Sequence, residues 1–143
     1  MFIGRYYHNL EEKGRLSLPK SFRELEKLWV ITRGLDGGLF LFPKHDFEKQ
    51  MTKISSYTFT KKAQRDFVRL MTNDAAEVEV DTGGRILIPE FLRASAQLTK
   101  ELVVVGSLQR IEIWDVKIYH QYLDQLIQQA ESIAEQVETV AGY

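Results

Sequence analysis

Apolar residues along this chain fall into short runs separated by glycine-containing turns, and into two longer stretches with helical spacing. Leu16 and Leu18 alternate with Ser17, and Ile86 and Ile88 flank Leu87, each marking the inward face of a short strand that stops at Pro19 or Pro89. Both prolines lack a ladder N–H and suit the first turn of a following helix that carries Phe22-Arg23 or Leu92-Arg93. Apolar runs of β-forming residues come next, Leu28-Trp29-Val30-Ile31 and Leu102-Val103-Val104-Val105. After turn residues each is followed by a second strand, at 39–42 and 111–114, and then by helical segments beginning near Pro43 and Asp115. Residues 60–71 read as an amphipathic helix, with Ala63, Phe67, Leu70 and Met71 on the apolar side and Lys61, Lys62, Arg65 and Arg69 on the polar side. A solvated connector is the plainer reading of that helix, a DNA-contacting element the sharper one. Tyr119, Leu123, Leu126, Ala130, Ile133, Val137 and Val140 are spaced as a heptad seam on a helix running from about Asp115 towards Thr139. The seam packs on its own chain or on a neighbouring subunit; the length of the terminal helix favours the subunit contact.

These elements occur twice because the sequence does. Residues 11–23 and 81–93 both read acidic-x-x-Gly-Arg-aliphatic-x-aliphatic-Pro-x-x-apolar-Arg, at an offset of 70. Glu11 matches Asp81, Gly14 matches Gly84, Arg15 matches Arg85, Pro19 matches Pro89 and Arg23 matches Arg93. Each copy therefore predicts strand, tight turn, strand, short helix, strand, turn, strand. The Gly-Arg pair sits where a hairpin reverses, and Gly14 or Gly84 supplies the positive φ that such a turn requires. Four short strands make a small independent core, so the two copies are expected to interlock about a pseudo-twofold axis, each completing the other.

Composition narrows the function classes. The chain has 143 residues, 44% hydrophobic and 27% charged, which is ordinary for a soluble domain. The absence of cysteine excludes a disulfide framework, a Cys-ligated metal and a thiol nucleophile. His8, His45 and His120 stand apart, with no paired metal-ligand spacing, and nucleophile-elbow, P-loop and dinucleotide patterns are missing. Asp81-Thr82-Gly83 matches the aspartic-protease triplet, but the repeat carries Glu11-Glu12-Lys13 there, so the partner carboxylate would have to come from a different loop. No enzyme is expected, and no cofactor or metal. No run is long enough to span a bilayer, and no export signal is visible, so a cytoplasmic protein is expected.

Charge is divided along the chain. Residues 1–70 hold 14 Lys+Arg against 8 Asp+Glu, whereas residues 71–143 hold 5 against 12, so a net charge of −1 conceals a basic first half. The duplicated arginines, Arg15 and Arg85, are the remaining chemistry. A planar guanidinium suits phosphate oxygens and the O6/N7 edge of guanine, and two symmetric copies can address one groove of a duplex. Arg5, Lys13, Lys20 and Arg23 add positive field around the first copy. Glu11 and Asp81 support the turns or orient the arginines by ion pairs; the plain alternative is that Arg15 and Arg85 only tie down those turns.

At these residues the sequence resembles the MraZ family, a branch of the AbrB/SpoVT-like swapped-hairpin transcription factors. The resemblance covers nearly the whole chain. It includes the start Met1-Phe2-Ile3-Gly4-Arg5-Tyr6-Tyr7-His8-Asn9-Leu10, both Gly-Arg motifs with the Leu-Pro and Ile-Pro that follow, and Leu35-Asp36-Gly37-Gly38-Leu39-Phe40-Leu41-Phe42. The family motif is usually Asp-x-x-x-Arg; Glu11 departs from it conservatively and lengthens the reach to Arg15. The resemblance implies an α+β, β-rich fold of two tandem swapped-hairpin half-barrels related by a pseudo-twofold, at 5–47 and 76–119. A connector with an amphipathic helix lies between them at 48–75, and a C-terminal helix and tail at 120–143. It implies a nucleoid-associated bacterial regulator that binds short direct repeats in double-stranded DNA as a ring-like homo-oligomer, usually repressing the division and cell-wall cluster that includes its own gene. The DNA-contact candidates carried over are Arg15 and Arg85, with Lys13 and Arg5 second on charge grounds and Glu11, Asp81, Gly14 and Gly84 supporting the turns. A protein-binding module of the antitoxin kind is the alternative from another class.

Overall fold

The computed structural model describes residues 1–56 and 60–141, with side chains through residue 137. Eight strands follow in chain order: β1 (Arg5–Asn9), β2 (Arg15–Ser17), β3 (Leu28–Arg33), β4 (Leu39–Pro43), β5 (Ala76–Glu79), β6 (Arg85–Leu87), β7 (Glu101–Ser107) and β8 (Arg110–Asp115). Six of them form one antiparallel sheet in the order β1-β7-β8-β4-β3-β5, while β2 and β6 form a separate antiparallel ribbon. Reversing that order and exchanging the copies returns the same list, which is the expected pseudo-twofold. The axis runs through the ribbon at Leu16, which pairs with its own repeat equivalent Ile86, and through the large sheet where Phe40 pairs with Glu112.

The two copies are interlocked by exchange of strands. β1 of the first copy pairs with β7 of the second, Arg5 opposite Val105 through Asn9 opposite Glu101. β5 of the second copy likewise pairs with β3 of the first, Leu28 opposite Glu79 through Ile31 opposite Ala76. The local hairpin expected at each Gly-Arg is therefore open. The Glu11 N–H donates to the Arg15 carbonyl at 2.8 Å, and then β1 and β2 part into different layers.

Alternation along the strands sorts the core. Leu16, Leu18, Ile86 and Ile88 of the ribbon region, with Phe22 and Leu92 of short helices α1 (Lys20–Arg23) and α4 (Glu90–Ser95), pack on Trp29, Ile31, Leu39, Leu41, Leu102, Val104, Ile111 and Ile113. Val30, Phe40 and Phe42 point to the opposite face and form a second cluster. It is closed by Phe47 and Met51 of α2 (Lys44–Ser56) and by Met71 and Phe67 of α3 (Lys62–Asn73). The Thr32 hydroxyl, fully buried, donates to the Met71 carbonyl at 2.7 Å and fixes the end of α3 to β3. On the second copy the corresponding cover is α5 (Val116–Gln128), whose Tyr119 and Tyr122 rings stand 5.7 and 5.4 Å from Trp114. The fold is α+β, with two half-barrels sharing one core.

Two helical expectations are modified. The connector helix forms, but Ala63 and Leu70 of its expected apolar side are exposed, and contact runs through Phe67 and Met71. Its Lys62 and Arg69 both pair with Asp66, and the helix lies on the sheet face away from the ribbon, which favours the connector reading. The terminal helix is interrupted at Gln129 (φ −104°), giving α5 and α6 (Ala130–Ala141). The heptad seam is half-buried at Tyr119, Leu123 and Leu126 but exposed at Ala130, Ile133 and Val137; the side chain of Val140 lies outside the described residues.

Candidate nucleic-acid interface

The geometry of the ribbon starts from two glycines. Gly14 and Gly84 close equivalent turns, their N–H groups donating to the carbonyls of Glu11 and Asp81 at 3.2 and 3.0 Å. Both adopt left-handed φ, +86° and +80°, which favours glycine. A β-carbon at Gly14 would meet the Arg93 guanidinium and the Ile88 carbonyl, and one at Gly84 would displace the Arg23 guanidinium. Each turn is thus roofed by the last arginine of the other copy's motif. Arg23 further donates from Nη1 to the Leu18 carbonyl at 3.2 Å. The repeat made Arg23 and Arg93 visible in the sequence, but their role as covers across the axis depends on the strand exchange. Arg23, expected to add to the basic field, is instead half-buried structure.

The ribbon pairs Arg15 with Leu87, Leu16 with Ile86 and Ser17 with Arg85. Strand alternation sends Leu16 and Ile86 into the core and leaves Arg15, Ser17, Arg85 and Leu87 on the outward face. Arg15 and Arg85 therefore occupy diagonal corners of one small surface, about 7–8 Å apart by ordinary strand geometry.

The two arginines are held differently. Arg85 Nη1 donates to Glu11 Oε1 at 3.1 Å, and its Nε stands 3.3 Å from Asp81 Oδ2, close enough for an ion pair but without hydrogen-bond alignment. The Glu11 hydrogen bond and the Asp81 charge hold the Arg85 guanidinium still more firmly protonated than usual. The longer reach of Glu11 is thus spent across the axis rather than on Arg15. The Arg15 side chain is exposed and has no hydrogen bond or ion pair among the described residues, although its charge helps to hold Asp81 ionised. Lys13, exposed in the same turn, sits at φ +65°. Arg5 is not part of this surface: it lies at the far end of β1, in contact with Tyr119 of α5.

Asp81 caps its turn. Its Oδ1 accepts the N–H groups of Gly83 at 2.8 Å and Arg85 at 3.0 Å. The Arg85 N–H, followed by the charge of its guanidinium, holds the Asp81 carboxyl below the usual carboxylate range. Because the folded-state value is the lower one, the ionised form stabilises the turn above the unfolded-state pKa, and that contribution is lost as pH falls through the folded value. Urea midpoints of the wild type are expected to drop on acidification below about pH 4, whereas Asp81→Ala starts lower at neutral pH and falls less. Parallel slopes for the two proteins would contradict this.

Among the described residues no group of three or more His, Asp or Glu side chains is placed to hold a metal ion. No described helix is long and apolar enough to cross a membrane. The site offers exposed cations on a narrow antiparallel ribbon, which is binding chemistry.

Comparison with known proteins bears on what is bound. The family described as "MraZ protein, putative antitoxin-like" matches residues 1–70 and again residues 71–142, one match for each copy of the repeat. A protein of Halothermothrix orenii named transcriptional regulator MraZ is 45% identical over 139 residues, covering 96% of this chain and 97% of that one. Proteins of the same name from Desulforamulus reducens and Moorella thermoacetica are each 43% identical over 138 residues, covering 96% of this chain and 97% and 96% of theirs. These relatives are named as regulators rather than enzymes, in line with the reading of the residues. With a duplicated match spanning both halves and relatives aligned over nearly their full length, this chain belongs to the MraZ family.

Proposed function

We propose that this protein is a cytoplasmic, nucleoid-associated transcriptional regulator that inserts the β2–β6 ribbon into the major groove of double-stranded DNA. The observation that carries this reading is the pair Arg15 and Arg85 on one outward face, related by an axis through Leu16 and Ile86. A major groove admits a two-stranded ribbon, and arginine pairs with the O6/N7 edge of guanine. Lys13 adds a phosphate contact beside Arg15, and Arg5, on its separate surface, reaches backbone only where the duplex is long or bent. The tandem units are those at 5–47 and 76–119, with the connector at 48–75 and the terminal segment from 120. The exposed seam residues Ile133 and Val137 support a ring-like homo-oligomer that presents several ribbons to short direct repeats. The targets in this reading are repeats upstream of the division and cell-wall cluster, including its own gene, with repression as the outcome.

The test is a fluorescence-anisotropy titration of the protein onto duplex from upstream of its own gene, against a scrambled duplex, at two salt concentrations. Preference for the upstream duplex, weakening as salt rises through loss of counterion release, is the expected result. Equal or absent binding to both duplexes overturns the reading in favour of a protein-binding module.

A further inference from the structure

The two ends of the ribbon are equivalent in backbone but not in chemistry. Ser17 and Leu87 occupy the same place in the repeat, and Lys13 matches Gly83. Across the ribbon Leu87 lies opposite Arg15, while Ser17 lies opposite Arg85. The bonds from Leu18 N–H to the Gly84 carbonyl and from Ile88 N–H to the Gly14 carbonyl flank these pairs. That alternation makes Arg15–Leu87 and Ser17–Arg85 the non-hydrogen-bonded pairs, whose side chains stand closest. One end therefore presents an exposed arginine whose side chain makes no ion pair among the described residues, a lysine and a leucine; the other presents an arginine tied to Glu11 and Asp81, a glycine and a serine.

Leu87 is 51% exposed, although its neighbours Ile86 and Ile88 are buried. The fold does not need an apolar residue there, since serine stands at the equivalent position on the other strand. In the major groove, the apolar feature that a base pair offers is the thymine 5-methyl group. We propose that Leu87 packs on a thymine methyl next to the base pair addressed by Arg15, so that the ribbon reads a polar, non-palindromic half-site and the protein docks in one orientation. A chemically symmetric ribbon on this axis would read a palindrome; Leu87 and Ser17 break that symmetry, as repeats in a head-to-tail series require. This rests on the major-groove reading above.

The probe is the duplex from upstream of the chain's own gene, prepared once with thymine and once with deoxyuridine, which removes only the methyl groups. Wild-type protein is expected to bind the deoxyuridine duplex about fourfold more weakly per engaged ribbon, the worth of one buried methyl-sized group. Leu87→Ser, which copies the residue at position 17, is expected to bind both duplexes equally, at the wild-type affinity for the deoxyuridine form. The exchange variant Ser17→Leu with Leu87→Ser is expected to regain methyl dependence at the opposite end of the half-site. Wild-type discrimination retained by Leu87→Ser overturns the proposal and leaves DNA binding standing, as does a change in oligomer mass without change in discrimination. Wild-type protein that fails to prefer the upstream duplex over a scrambled one removes both readings together.

Discussion

Arg15→Ala is expected to abolish preference for the upstream duplex while leaving the melting temperature and oligomer mass unchanged. One bidentate arginine–guanine contact is worth about 1–3 kcal/mol, or roughly 5- to 150-fold per engaged ribbon. In an oligomer with several ribbons on linked sites that loss compounds, because avidity multiplies the effect of each weakened contact. Stability is expected to hold because the Arg15 side chain is exposed and makes no hydrogen bond or ion pair among the described residues. A surface change of that kind usually stays within about 0.5 kcal/mol. Arg85→Ala has a second consequence. It frees Glu11 and Asp81 from their guanidinium partner and leaves two carboxylates beside the groove. Binding to the scrambled duplex is therefore expected to weaken as well, and more than in Arg15→Ala. Anisotropy on both duplexes, thermal melting and light scattering check these outcomes. Wild-type affinity for the upstream duplex in Arg15→Ala/Arg85→Ala would remove the arginines from the site.

The largest effect on stability is expected from Trp29→Ala. Trp29 is wholly buried on β3, paired with Pro43 of β4 on one side and with Val78 of the exchanged strand β5 on the other. Its ring stands 5.6 Å from Phe2, and its Nε1 donates to the Glu26 carbonyl at 3.1 Å. Removing so large a buried ring costs about 3–5 kcal/mol through lost transfer energy and the cavity left behind. Trp29→Phe keeps most of the packing and leaves the Glu26 carbonyl without that donor, at a cost of about 1–3 kcal/mol. Urea denaturation followed by far-ultraviolet circular dichroism measures both. Since Trp29 contacts strands from both copies, unfolding is expected as one transition; two resolved transitions would contradict a shared core.

The identity of the ribbon arginines was legible because the repeat displays each of them twice, in the same place relative to a glycine and a proline. The same repeat exposed Arg23 and Arg93 but not their function. Their covering of Gly84 and Gly14 is a contact between residues 61 and 79 positions apart in the chain, which no local pattern encodes. Glu11 shows the same limit. Its spacing from Arg15 suggested a pair within one turn, yet its nearest guanidinium belongs to Arg85, because β2 and β6 lie side by side. An amphipathic helix forms at Lys62–Asn73, close to where the spacing suggested one, but Leu70 faces solvent and contact with Val30, Phe40 and Phe42 runs through Phe67 and Met71.

What the sequence determined by itself was the set of strands, the two glycine turns, the duplicated arginines and the need for two small halves to share a core. These follow from side-chain alternation, positive φ at glycine and the shortage of apolar area in each half, all of which are local or additive properties. Only the tertiary structure decided that the turns open rather than zip into hairpins, which edges the exchanged strands take, β1 against β7 and β5 against β3, and that Leu87 faces Arg15 across the ribbon. Those outcomes depend on which strand edges satisfy one another's backbone groups. That choice is made by pairing between residues far apart in the chain, so the symmetry of the ribbon and the places where it is broken emerge only once the two copies have closed around each other.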